Sequence, residues 1–221
     1  MIGIIGAMEI ETRGIKNLMC DVHEEKYASI TFSTGKIHGK EVVCAMCNPG
    51  KINAAACAQI MIMKYSPEII INSGVAGSLS DELSILDVAV ATSCVQHDFD
   101  TSALGSPKGM VEGVNMINFE CSKKAVDTLL SACSEAKTGV IASGDIFVSG
   151  EAAKKEISNT FNAIACEMEG GAIGHICYIN NVDYGVLRVI SDGADEMDFN
   201  TFKVKASEKS IEIMNQFIRL Y

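Results

Sequence analysis

Short apolar runs alternate with helical stretches along this chain, and several of the runs stop at a glycine, a hydroxyl or a carboxylate. The sharpest is Tyr184-Gly185-Val186-Leu187-Arg188-Val189-Ile190, which ends in Ser191-Asp192-Gly193-Ala194-Asp195. A short β-branched run closed by turn residues reads as a buried strand. Similar runs occur at 1–5, 68–72, 88–95, 138–142 and 163–166. Helical patterns separate them at 9–19, 51–65, 122–136, 151–157, 170–178 and 202–220. Residues 30–32 and 42–46 read as an antiparallel pair joined through Gly35 and Gly39. Strands that alternate with helices predict an α/β fold: a three-layer α/β/α sandwich around a central, mixed, twisted sheet.

The length of 221 residues fits one domain spanning 1–221. A net charge of −10 argues against nucleic acid or an anionic membrane as partner. The longest apolar runs are too short for a transmembrane helix. The opening Met1-Ile2-Gly3-Ile4-Ile5-Gly6 has no basic flank and reads as fold rather than signal peptide. Nine cysteines without framework spacing predict reduced thiols and a cytoplasmic protein. The one CxxC, Cys44 to Cys47, lies on a strand pattern, where residues three apart face opposite ways. It therefore reads as two core thiols. The helix over 51–65 is apolar nearly all round (Ala54, Ala55, Ala56, Ile60, Met61) and is expected to be deeply packed. Residues 97–118 carry no clear period and predict a long loop with a functional or interface role.

In open α/β folds, ligands bind at the carboxyl ends of the strands. An Asp at such a place can be partly desolvated and act as a general acid. Asp192 is so placed. Glu9 and Glu11 follow the first strand, and Glu167 and Glu169 follow another, so three acidic clusters point to one site. The Gly6–Glu11 loop resembles a phosphate cradle, but its two carboxylates would repel phosphate. Taken alone, Glu9 and Glu11 could simply complement a helix dipole. Gly74-Val75-Ala76-Gly77, read as the start of a glycine-rich loop, is too weak a phosphate signal by itself. Glu167 and Glu169 cannot both be buried cheaply, so one should meet ligand hydroxyls or a basic partner. Phe147, just after Ser143-Gly144-Asp145, could stack on a flat base, although a single Phe is more often core.

Five motifs then occur in register: Ile4-Ile5-Gly6-Ala7-Met8-Glu9-x-Glu11, Ile71-Asn72-Ser73-Gly74-x-Ala76-Gly77, Ser143-Gly144-Asp145-x-Phe147, Glu167-Met168-Glu169 and Arg188-x-Ile190-Ser191-Asp192. Together they resemble the bacterial 5′-methylthioadenosine/S-adenosylhomocysteine nucleosidases over nearly the whole chain. The resemblance implies a nucleoside phosphorylase-like α/β/α fold, a homodimer and no cofactor. It implies hydrolysis of methylthioadenosine and S-adenosylhomocysteine, with 5′-deoxyadenosine as a further substrate, in methionine salvage. Carried over, Asp192 is the acid that protonates adenine N7, Ser191 orients it, and Glu11 activates the attacking water. Glu169 holds the ribose hydroxyls and Met168 packs on the sugar. Phe147 stacks on adenine and the Val148 main chain meets its edge. Arg188 helps place the water, and Met8 and Phe199 line the sugar and 5′ side. Pro49 borders the 5′ pocket, and Leu104 reaches it from the partner subunit.

Three departures bear on substrate preference. Val75 stands where some members carry Ser, Asn48-Pro49-Gly50-Lys51 replaces a more usual glycine-rich turn, and the 196–199 segment is short. His97-Asp98-x-Asp100 has metal-like spacing, but the resemblance assigns it to the dimer-side loop, so no metal is expected. The alternatives are a purine nucleoside phosphorylase, which would need cations for phosphate, a nucleosidase for a futalosine-type nucleoside, and a non-catalytic nucleoside-binding protein.

Overall fold

The computed structural model describes residues 1–193 and 196–221; Ala194 and Asp195, at the end of the Ser191-Asp192-Gly193-Ala194-Asp195 motif, lie outside the described residues. Ten strands form a single mixed sheet. In chain order they are β1 (Ile2–Gly6), β2 (Cys20–Tyr27), β3 (Ile30–Ile37), β4 (Lys40–Met46), β5 (Ile69–Ser78), β6 (Val88–Gln96), β7 (Phe119–Glu120), β8 (Lys137–Ser143), β9 (Ala163–Glu167) and β10 (Asp183–Asp192). The helices are α1 (Glu9–Leu18), α2 (Lys51–Tyr65), α3 (Lys123–Ala132), α4 (Glu151–Phe161), α5 (Gly170–Asn180) and α6 (Glu196–Leu220).

Parallel strands β4, β1, β5 and β10 lie side by side, with every β1 residue buried. β10 then pairs antiparallel with β6, which runs parallel to β8, and β8 runs parallel to β9. β9 closes back on the end of β5 through Gly77 and Ser78. Half of the sheet is therefore a closed ring, β5–β10–β6–β8–β9, and the other half is an open extension ending in β3 and β2. Apolar side chains fill both faces. One core holds Ala54, Cys57 and Met61 of α2 with Ile173 and Cys177 of α5. The other holds Ile15 of α1, Leu129 of α3 and Met214, Phe217 and Ile218 of α6. The expected three-layer arrangement is present. Cys44 belongs to one core and Cys47 to the other, as strand alternation requires. Among the described residues, no helix is long and apolar enough to cross a membrane.

Several expectations need correction. Gly74, Gly77 and Ser78 do not open a loop; they continue β5, because their main chain pairs with β10 and β9. β2 carries almost no buried side chains, so it leaves no apolar signal. Helix α2 is not packed all round: Ile52 is 82% exposed and Met63 74%. Helix α6 begins six residues before its expected start, which places Phe199 in its first turn.

Candidate active site

The site assembles where β1, β5, β9 and β10 end. After β1 the chain turns through Ala7 and Met8 into α1, and Glu11 folds back over that turn. Its Oε2 accepts the N–H groups of Ala7 (2.7 Å) and Met8 (2.8 Å), and its Oε1 accepts the N–H of Val75 (3.1 Å). One carboxylate thus satisfies the free amides of the turn and ties α1 to β5. Burial pushes the Glu11 carboxyl above its ordinary range, and Arg188 and the three amides offset only part of that push. A Cβ on Gly74 would lie 2.5 Å from Glu11 Oε1 and 2.9 Å from Arg188 Nη1. The absence of a side chain on Gly74 therefore leaves the space that the Glu11 carboxylate and the Arg188 guanidinium both border.

Arg188 sits within β10 and is 1% exposed. Its Nη2 donates to Glu167 Oε2 and Asn72 Oδ1, while its Nε has no partner among the described residues. Glu167, the last residue of β9, also accepts the Ser143 hydroxyl and the N–H groups of Glu169 (2.9 Å) and Gly170 (2.9 and 3.0 Å). Burial would raise its carboxyl, but Arg188 and these donors outweigh burial and hold it below the usual range. Glu169, two residues on, caps α5 and accepts the Gly50 N–H at 2.9 Å. Its Oε2 is 3.8 Å from Arg188 Nη2. Burial, and then repulsion from Glu167, push its carboxyl up to about 8. The two acids of one motif thus have opposite environments, which separates their roles.

Asp192 is the last residue of β10 rather than a residue beyond it. A register shift after Ile190 lets both Ser191 and Asp192 face the cleft, which regular strand alternation would forbid. Ser191 Oγ donates to Asp192 Oδ2 at 2.9 Å. Asp192 is opposite Gly77, and Gly77 is opposite Cys166. A Cβ on Gly77 would come within 2.9 Å of Asp192 Oδ1. The missing side chain is thus the space the carboxyl occupies.

Above these groups opens a cleft with about 600 Å³ of empty space, part of it open to solvent. Met8, Pro49, Phe147, Val148, Met168, Glu169, Ser191 and Phe199 line it together with Glu11 and Asp192. The rings of Phe147 and Phe199 meet edge to face, with centroids 5.6 Å apart. Arg188, expected to help place the water, and Leu104, expected to reach the pocket of a partner subunit, do not line the cleft of this chain. Arg188 lies behind the carboxylates, and Leu104 is 86% exposed in the 102–104 turn. The sequence reading gave no role to Asn72, Ile146 or Cys166 and did not decide which acid Arg188 would bind. A cation inside the apolar run 184–190 was the available signal for a buried anion, and Glu167 is that anion.

The His97-Asp98-x-Asp100 stretch braces the cleft instead. Asp98 Oδ1 pairs with Lys51 Nζ at 2.6 Å, and Oδ2 accepts the Asp145 N–H at 2.8 Å. Asp145 Oδ1 in turn accepts the Lys51 N–H at 2.7 Å, and Asp100 accepts the Ser102 N–H. Among the described residues no group of three His, Cys, Asp or Glu could hold a metal.

Residues 1–219 match the family described as the phosphorylase superfamily. A 5′-methylthioadenosine/S-adenosylhomocysteine nucleosidase of Staphylococcus aureus is 37% identical over 99% of each chain. The structure of a Helicobacter pylori variant of such a nucleosidase, with 5′-methylthioadenosine in its active site, is 35% identical. It covers 99% of this chain and 97% of the other, with a TM-score of 0.95. The futalosine hydrolase of Helicobacter pylori is 35% identical with the same coverage and a TM-score of 0.94. The motifs, the closed-ring sheet and the carboxylate cleft agree with these likenesses, and the chain belongs to the 5′-methylthioadenosine/S-adenosylhomocysteine nucleosidase family of the phosphorylase superfamily.

Proposed function

We propose that the chain hydrolyses the N-glycosidic bond of 5′-methylthioadenosine and S-adenosylhomocysteine, releasing adenine and a 5-substituted ribose. The observation that carries this reading is the placing of Glu11, Glu169 and Asp192 on one cleft whose described lining contains no Lys, Arg or His. Breaking a ribosyl–adenine bond builds positive charge on the sugar and negative charge on the base. An anion beneath the sugar and an acid beside the base stabilise that transition state. Asp192, held by Ser191, donates its proton to adenine N7 as the bond from C1′ to N9 breaks. Glu11 takes a proton from water as the water oxygen bonds to C1′. A carboxyl raised by burial is a stronger base than a free one, which suits Glu11 to that step. Glu169 meets the ribose hydroxyls, Phe147 covers the adenine face, and Met8, Pro49 and Phe199 receive the 5′ substituent.

A phosphorylase of the same superfamily would need a cation for phosphate, and the nearest, Arg188, is bound to Glu167 and Asn72. The structural likeness to a futalosine hydrolase keeps a futalosine-type nucleoside as a second candidate substrate. We assign no cofactor and a cytoplasmic location, in keeping with nine unpaired cysteines. A homodimer, in which the 97–110 loop and its exposed Leu104 complete the partner's 5′ pocket, fits the same reading. Chromatographic assay of adenine or hypoxanthine release across methylthioadenosine, S-adenosylhomocysteine, 5′-deoxyadenosine, a futalosine-type nucleoside and AMP tests it. The two thioethers should be cleaved and AMP should not, because burying a phosphate without cationic partners is costly. Preference for the futalosine-type nucleoside would select the second candidate, and efficient AMP cleavage would contradict the pocket assignment.

A further inference from the structure

Besides Asp192, four ionisable side chains crowd the floor of the cleft: Glu11, Glu167, Glu169 and Arg188. Among the described residues Arg188 is the one cation in the buried set. It cannot neutralise three carboxylates, and burying unpaired anions is costly. The geometry shows how its charge is shared. Glu167 takes the direct ion pair, and the Ser143 hydroxyl and two backbone amides complete its shell. Glu169 is left with one backbone amide and a guanidinium nitrogen 3.8 Å away.

We propose that Glu167 is a positioning residue: by holding Arg188 for itself it leaves Glu169 a neutral, proton-bearing carboxyl on the cleft floor, able to donate to one of two neighbouring hydroxyls and accept from the other. The groups that face Glu169 agree. Glu167 lies on its own segment, Glu11 reaches over from α1, and the Cys47 thiol stands beyond β4, itself pushed up by burial. Arg188 of β10 is the one cation in that ring, and its bonds go to Glu167 and Asn72. The upward displacement of Glu169 to about 8 has Glu167 as its second cause after burial. The link to a ribose diol rests on the nucleosidase reading, but the protonation of Glu169 does not.

The test is carbon-13 NMR titration of glutamate-labelled, ligand-free protein, with Glu169→Gln identifying the Glu169 signal. In wild type that carboxyl should titrate near 8. In Glu167→Gln, which keeps the shape but removes the charge, Arg188 is freed, and the signal should move to lower pH by about one unit or more. In Glu167→Asp, which keeps the charge, it should stay high. A purely structural role would disturb both variants alike. Wild-type Glu169 already ionised at pH 7 would overturn the proposal, as would an unmoved signal in Glu167→Gln or a fall in Glu167→Asp. If Glu167→Gln does not fold, the wild-type and Asp measurements still decide. Because no substrate is used, failure of the nucleosidase assay would leave this result standing on its own.

Discussion

The floor and the mouth of the cleft are built in opposite ways. On the floor, Glu11, Glu167, Glu169, Arg188 and Asp192 are each less than a tenth exposed, and each is held by a neighbouring amide, hydroxyl or charge. Glu167, Arg188 and Asp192 stand on strands of the sheet, and Glu11 and Glu169 stand in the first turns that follow strands. At the mouth, Phe147 is 44% exposed and Ile146 57%, both outside any strand or helix, and Phe199 lies in the first turn of α6. The rings of Phe147 and Phe199 meet only edge to face. A reaction that develops charge needs donors and acceptors already in place, so the floor is over-determined. Recognition of a flat base and an apolar tail needs area more than fixed geometry. Substitutions on the floor should therefore change kcat, and those at the mouth should change KM.

The largest effect is expected for Asp192→Asn. The amide can hydrogen-bond to N7 but cannot deliver a proton, so kcat should fall by roughly two to four orders of magnitude with the melting temperature nearly kept. Near wild-type turnover would remove Asp192 from the mechanism. Glu11→Gln should be comparably damaging, with KM changed only a few-fold, because the role proposed for Glu11 is on water. If affinity collapses and kcat survives, Glu11 belongs with the binding residues and the contrast between floor and mouth is broken. Phe147→Ala should cost about 1 kcal/mol of stacking, or roughly a fivefold rise in KM, with kcat little changed. An equal fall in kcat would show that the mouth also sets the chemistry.

The smallest effect is expected for the brace below the mouth. Burial pushes the Asp98 carboxyl up, but Lys51 and the Asp145 amide outweigh it and hold the carboxyl below its ordinary range. A depressed carboxyl contributes stability above its unfolded pKa and loses it as pH falls through the folded one. Lys51→Met should therefore lower the melting temperature at pH 7 by an amount worth at most about 1 kcal/mol, and by less in acid. Calorimetry at the two pH values checks this; an equal loss at both would mean that packing, not charge, is at work.

Much of this was legible in the sequence, for physical reasons. Strands buried on both faces leave β-branched runs, and the runs behind β1, β5, β6 and β10 marked the sheet and its ligand-bearing ends. Motif order then brought ten of the twelve expected site residues onto one cleft. What sequence could not supply was pairing. Nothing in Glu167-Met168-Glu169 says which acid Arg188 will hold, because that depends on how β8, β9 and β10 close into a ring. β2 leaves no apolar signal because its side chains face water, and Gly74 and Gly77 read as loop because glycine in a strand marks a close approach only once the approaching side chain is known.

The central claim is that this cleft uses water, although the superfamily is described by phosphorylases. The direct test is methylthioadenosine turnover in phosphate-free buffer and again with added inorganic phosphate, with both products followed. The floor described above predicts the same rate in both and a free 5-methylthioribose. A rate that rises with phosphate and a product carrying phosphate at C1 would contradict it.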